Sequence, residues 1–140
     1  TFEASKLHWD LRYEEKGKKI LDYYKALIRL RKRMISPCYA DRSKMKLLGS
    51  ESQKMLFMQR CQLDCTNVVI VNLSPNESSF VFPFDEGKYV KIIDSADVAW
   101  SGPGETLSNI IAHGDRQKIR GYNIAVFECE YKEGRKETSE

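Results

Sequence analysis

The run Ile20-Leu-Asp-Tyr-Tyr-Lys-Ala-Leu-Ile-Arg-Leu-Arg-Lys-Arg33 repeats its apolar residues every three to four positions, and the segments downstream of it read at a period of two. Side chains recurring at 3.6 line one face of a helix, and those recurring at two line one face of a strand. One amphipathic helix must therefore find a surface, and the later strands are what the chain offers. A domain seldom opens on a helix that has no helical partner. The switch of period thus reads as the seam between two domains, and the chain as a piece of a larger protein.

Over Lys19 to Met34, the residues Ile20, Leu21, Tyr24, Leu27, Ile28 and Met34 share one face, with Lys25, Arg29, Lys32 and Arg33 on the other, which predicts a one-sided packing helix. The Glu14-Glu15 pair precedes it and Arg31, Lys32 and Arg33 close it, matching the helix dipole at both ends. Pro37 stops any continuation, and residues 1–18, with Gly17, read as loop.

Beyond a linker at Cys38 to Lys44, strands are predicted at Met45 to Leu48, Met55 to Arg60, Asn67 to Leu73, Phe80 to Phe84, Tyr89 to Ile93, Lys118 to Arg120 and Asn123 to Cys129. Turn residues separate them, as at Gly49-Ser50, Ser74-Pro75-Asn76 and Asp85-Glu86-Gly87. Val68 to Val71 suits a central strand covered on both faces, and Phe80, Phe82 and Phe84 alternate as one buried face. The expected fold is mainly β: an antiparallel Greek-key β-sandwich preceded by one amphipathic α-helix. The tail from Tyr131 to Glu140 is charged and is expected to be disordered.

At 140 residues the chain can hold one main core. Hydrophobic residues at 41% and charged residues at 31% place it with soluble globular proteins. A net charge of +3 is too small for a dedicated nucleic-acid binder, and Arg29, Arg31, Lys32 and Arg33 read as ordinary helix-end charge. Neither a targeting nor a membrane segment is evident, since no apolar run exceeds the length of Val68 to Val71. Cys38, Cys61, Cys65 and Cys129 are too sparse for a disulfide scaffold and read as reduced thiols in a cytoplasmic protein. Cys61 and Cys65 lack a second close pair, and His8 and His113 stand alone, so no metal is expected.

The loop Asp94-Ser-Ala-Asp-Val-Ala-Trp-Ser-Gly-Pro-Gly104 fails as a phosphate cradle, because Pro103 removes a backbone donor and no Gly-rich nucleotide motif is present. No cofactor is expected. Asp94, Asp97 and Glu105 could gather oxygens for a hard cation, but turn carboxylates are more often caps. A glycosidase needs two carboxyl groups about 5 to 9.5 Å apart across the sugar bond, and no pair of acidic residues is marked out here by its setting. No serine nucleophile motif occurs either, so no catalytic residue is assigned. Trp9 and Trp100 could offer flat faces to sugar rings, although packing alone also explains a tryptophan.

Phe2-Glu-Ala-Ser-Lys-Leu-His-Trp9, the helix Tyr23 to Lys32, the strand Val69-Ile-Val-Asn-Leu-Ser74 and the loop Ile93 to Gly104 occur in an order that resembles the carboxyl end of glycoside hydrolase family 13 enzymes. The resemblance covers about residues 1–130 and is greatest to the malto-oligosyltrehalose trehalohydrolases, with glycogen branching enzymes next. It implies that residues 1–39 are the loop and last outer helix of a (β/α)8 barrel, residues 40–130 the all-β domain behind it, and residues 131–140 a tail. The implied parent is a retaining enzyme that cleaves the α-1,4 bond beside a terminal trehalose, with its Asp nucleophile and Glu acid supplied elsewhere. This chain's implied role is structural, with the catalytic barrel of the same parent as partner. Lys6 and Trp9 would then lie near the sugar-binding rim. A free carbohydrate-binding module using Trp9, Trp100 or Tyr89 on α-glucan or maltooligosaccharide is the alternative, and dimerisation through an uncovered helix face is a further expectation.

Overall fold

The computed structural model describes residues 3–34, 42–61, 65–85 and 87–130. Pro37, the start of the linker at Cys38 and the tail 131–140 lie outside the described residues.

Helix α1 runs from Glu15 to Met34, four residues earlier than the periodicity predicts, and residues 3–5 and 9–13 form short 3-10 turns where loop was expected. Gly17 explains the difference. It acts as a point of close approach: a Cβ there would lie 1.9 Å from the Leu11 carbonyl oxygen. The turn Trp9–Tyr13 can therefore press against the first turn of α1, where the Lys18 N–H already donates to the Glu14 carbonyl at 2.8 Å. Helical pairs Lys19–Glu15 at 3.0 Å and Lys25–Asp22 at 3.6 Å add a few tenths of a kcal/mol each at about this spacing.

Eight strands are described after the helix: β1 (Met45–Ser50), β2 (Met55–Cys61), β3 (Cys65–Asn72), β4 (Ser78–Val81), β5 (Lys88–Asp94), β6 (Ile110–Ala112), β7 (Arg116–Ile119) and β8 (Asn123–Glu130). Their pairings are antiparallel. One sheet has the order β1-β2-β3-β8-β5-β6, and β4-β7 forms the second. The chain crosses between the sheets before and after β4 and again around β7, so β8 returns between β3 and β5 by the kind of crossover a Greek key uses. The fold is thus a mainly β antiparallel sandwich with one α-helix among the described residues.

The core lies between the sheets. Phe57 meets Phe80 at 5.2 Å, and Phe82 meets Phe84 at 5.6 Å and Tyr89 at 5.1 Å, all edge to face. Such pairs contribute about 0.5–1.5 kcal/mol each beyond the area they bury. The predicted alternation of Phe80, Phe82 and Phe84 holds, although strand pairing of β4 ends at Val81.

Two further expectations are corrected. Val68 and Ile70 are fully buried, but Val69 and Val71 are only half-buried, because their side chains alternate to the face turned away from the core between the sheets. The apolar stripe of α1 is also not one docking face. Tyr23, Ala26, Leu27, Leu30 and Met34 are half-buried, whereas Ile20, Leu21, Tyr24 and Ile28 are 44%, 37%, 60% and 52% exposed. No residue of the helix is fully buried. No described helix is long and apolar enough to cross a membrane.

Candidate functional site

The loop Asp94–Gly104 and the middle of α1 form the most elaborate polar assembly outside the core, and its construction begins in β5. The register of β5 on β8 slips between Lys91 and Ile93, so that Lys91 opposes Phe127 and Asp94 opposes Ala125. A bulge of this kind turns two residues that would alternate onto the same face. Lys91 and Asp94 consequently share the inner side: Lys91 Nζ donates to the Leu107 carbonyl at 2.9 Å, pairs with Glu105 Oε1 at 3.0 Å and lies 3.9 Å from Asp94 Oδ2.

From there the chain builds its own turn. Asp94 Oδ1 accepts from the Ala96 N–H at 2.9 Å, and Asp97 caps the 3-10 turn Val98–Trp100 by accepting from the Ala99 N–H at 2.8 Å. The Gly102 and Gly104 N–H groups close back on the carbonyls of Asp97 at 3.0 Å and Ala96 at 2.8 Å. Only glycine fits at 102, because a Cβ would lie 2.3 Å from Ala96 backbone. Ser101 takes the left-handed conformation at φ 66, a position that favours glycine. The carboxylates considered as cation ligands are thus caps and ion-pair partners.

This turn presents Trp100 to Tyr23 of α1, ring centroids 5.5 Å apart at 49°. Burial pushes the Tyr23 phenol above its ordinary value, and the nearby Asp94 charge pushes it further, while a hydrogen bond with the Ser95 side chain acts the other way. Ser95 Oγ in turn donates to Asn123 Oδ1 and accepts from the Ile124 N–H at 3.0 Å. A second tie sits at the helix end. Glu128 points away from the core side taken by Phe127, and Arg33 reaches it at 2.8 Å across the outer face of the sheet.

The predicted sugar contacts occupy different elements. Lys6 pairs with Glu3 at 2.7 Å, Trp9 stands 66% exposed in the turn before α1, and Trp100 is half-buried against Tyr23. Tyr89 cannot serve as a sugar platform, since it is fully buried and its hydroxyl accepts from Gln59 Nε2 at 3.0 Å. Cys61, Cys65 and Cys129 are half-buried and form no disulfide among the described residues. Among the described residues no three His, Cys, Asp or Glu side chains gather as a metal site. An open groove of about 410 Å³ runs beside β1 and β4, lined by Leu48, Phe57, Phe80, Val81, Pro83 and Arg116 among others.

Tyr23 and Ser95 belong to the assembly although the sequence reading assigns them no site role. A signal exists for Tyr23: with Leu27, Leu30 and Met34 it falls at helical spacing, a second apolar stripe beside the predicted one.

No protein-family model matches the chain, and no curated protein matches its sequence significantly. Solved structures do. A pullulanase from Anoxybacillus sp. LM18-11, complexed with maltotetraose, aligns with TM-score 0.58 and 19% identity over 90% of this chain and 17% of its own. Trehalose-6-phosphate hydrolase from Bacillus licheniformis aligns with TM-score 0.53 and 19% identity, over 79% of this chain and 18% of its own. A MutB mutant from crystals soaked with trehalulose gives 0.52 and 20%, over 77% and 17%. The chain therefore spans about a sixth of the length of the structures it matches, and at these identities what it shares with these α-amylase-family enzymes is the fold of one part of them.

Proposed function

We propose that this chain is the carboxyl-terminal accessory part of a glycoside hydrolase family 13 enzyme acting on α-glucan. Residues 1–39 are the loop and last outer helix of its (β/α)8 barrel, residues 40–130 the β-domain behind that barrel, and residues 131–140 a tail. One observation carries the reading: α1 is apolar on two sides. Its Tyr23 side meets the sandwich, and Ile20, Leu21, Tyr24 and Ile28 form a bare stripe on the other, the arrangement a helix needs when it sits between two bodies. In this reading Lys6 and Trp9 lie near the sugar-binding rim of the barrel, and Trp100 holds the joint. The finer assignment, a cytoplasmic malto-oligosyltrehalose trehalohydrolase, rests on the sequence resemblance of Phe2 to Trp9, the helix Tyr23 to Lys32, the strand Val69 to Ser74 and the loop Ile93 to Gly104.

An antibody against the sandwich tests this in extracts of the source cells. The expected antigen runs far above 16.2 kDa, with α-1,4-glucan hydrolysis co-precipitating. A free 16.2 kDa chain that itself turns over maltooligosaccharide would sink the reading.

The exposure of Trp9 favours one second reading, a carbohydrate-binding module. Saturable maltooligosaccharide binding by the 140-residue chain, abolished in Trp9→Ala, would favour it over a purely structural role.

A further inference from the structure

The sandwich closes its own core without the helix. The packed cluster contains strand and loop residues alone, from Met55 through Phe127, and α1 contributes no buried side chain to it. Among the described residues, α1 meets the sandwich through the Tyr23 ring on Trp100 and through Arg33 on Glu128, and Leu27, Leu30 and Met34 on the same side are only half-buried. The indole N–H of Trp100 is buried but has no protein acceptor among the described residues, so ring packing and not a directed hydrogen bond holds that contact. The turn Trp9–Tyr13, by contrast, is welded to α1 by the Leu11–Gly17 approach.

We propose that Tyr23 and Trp100 form a releasable latch, so that residues 3–34 undock from the sandwich as one unit while the sandwich stays folded. Regions with few buried apolar contacts open at lower free energy than the global unit, and a helix held at two points on an outer face meets that description. Released, the unit carries Lys6 and Trp9 with it, so the latch fixes where that segment stands relative to the sheets. The latch rests on this chain's own contacts, and its failure would leave the proposed function standing.

Hydrogen exchange on the full chain tests it. Amides of residues 20–34 should exchange faster than those of β3 and β8, and both Trp100→Ala and Tyr23→Ala should speed the helix by about tenfold or more while leaving β3 and β8 within about twofold. Tyr23→Ala is the safer variant, because it acts from the helix and leaves the turn Asp94–Gly104 intact; if Trp100→Ala does not fold, it decides alone. Helix and sheet accelerating together, or the helix not accelerating, overturns the latch.

Discussion

Helix and sandwich both carry apolar stripes but use them differently. In the sandwich, alternation delivers Phe80, Phe82 and Phe84 to one side, where Tyr89 and Phe57 meet them, and the surface vanishes into the core. In α1, two adjacent stripes share one cylinder and a single flat sheet can cover only one of them, which leaves Tyr24 and Ile28 bare. Hydrophobicity decides that a segment wants burial; the width of its stripe decides how many neighbours that takes.

Five substitutions put this contrast to the test. The largest effect is expected from Phe82→Ala, which should cost about 3–5 kcal/mol in thermal or urea unfolding, because its ring is fully enclosed. Loss of helix signal well before sheet signal in that variant would confirm that the two regions unfold separately. Gly17→Ala should cost about 1–3 kcal/mol locally, against the gain that alanine normally brings to a helix, since its methyl meets the Leu11 carbonyl. It should shift Trp9 fluorescence and leave the sandwich midpoint unchanged.

Glu128→Gln should loosen the end of α1 by less than about 1 kcal/mol, an effect that fades in high salt because Arg33 is more than half exposed. Thermal unfolding at low and high ionic strength reads it. Ser101→Gly is expected to stabilise by under about 1 kcal/mol in the same assay, since it relieves a left-handed serine yet frees the unfolded chain. The narrowest effect is in pH. A phenol held above 10.0 in the folded state stays protonated after the unfolded chain has ionised. Its contribution is therefore complete below pH 10 and falls as pH climbs past that value. A stability profile of Tyr23→Phe flatter than wild type above pH 10 is the check.

Much of the fold was legible because it is local. The helix body, most of the strands and the buried Phe80 face follow from period and turn residues alone. What was hidden depended on distant partners. The true start of α1 turns on Leu11 approaching Gly17, and a glycine read in isolation looks like a breaker. Strand β6 is three residues in a polar stretch and exists because Tyr89 pairs with Ile111. The sequence pattern marked the loop around Trp100 as distinctive, but what it does became visible only when Tyr23, far upstream, was found against it. Lys6 and Trp9 stand exposed before α1, and the role proposed for them rests on the resemblance.

The position of β8 has a consequence for how the molecule forms. Among the described strands it bridges β1-β2-β3 and β5-β6, yet it is translated after all of them. The early hairpins must wait, unmatched along one edge, until residues about fifty positions later emerge to join them. Assembly that depends on so distant a closing step is slow, on the order of milliseconds to seconds, and until then β3 stands open to pairing with the wrong neighbour.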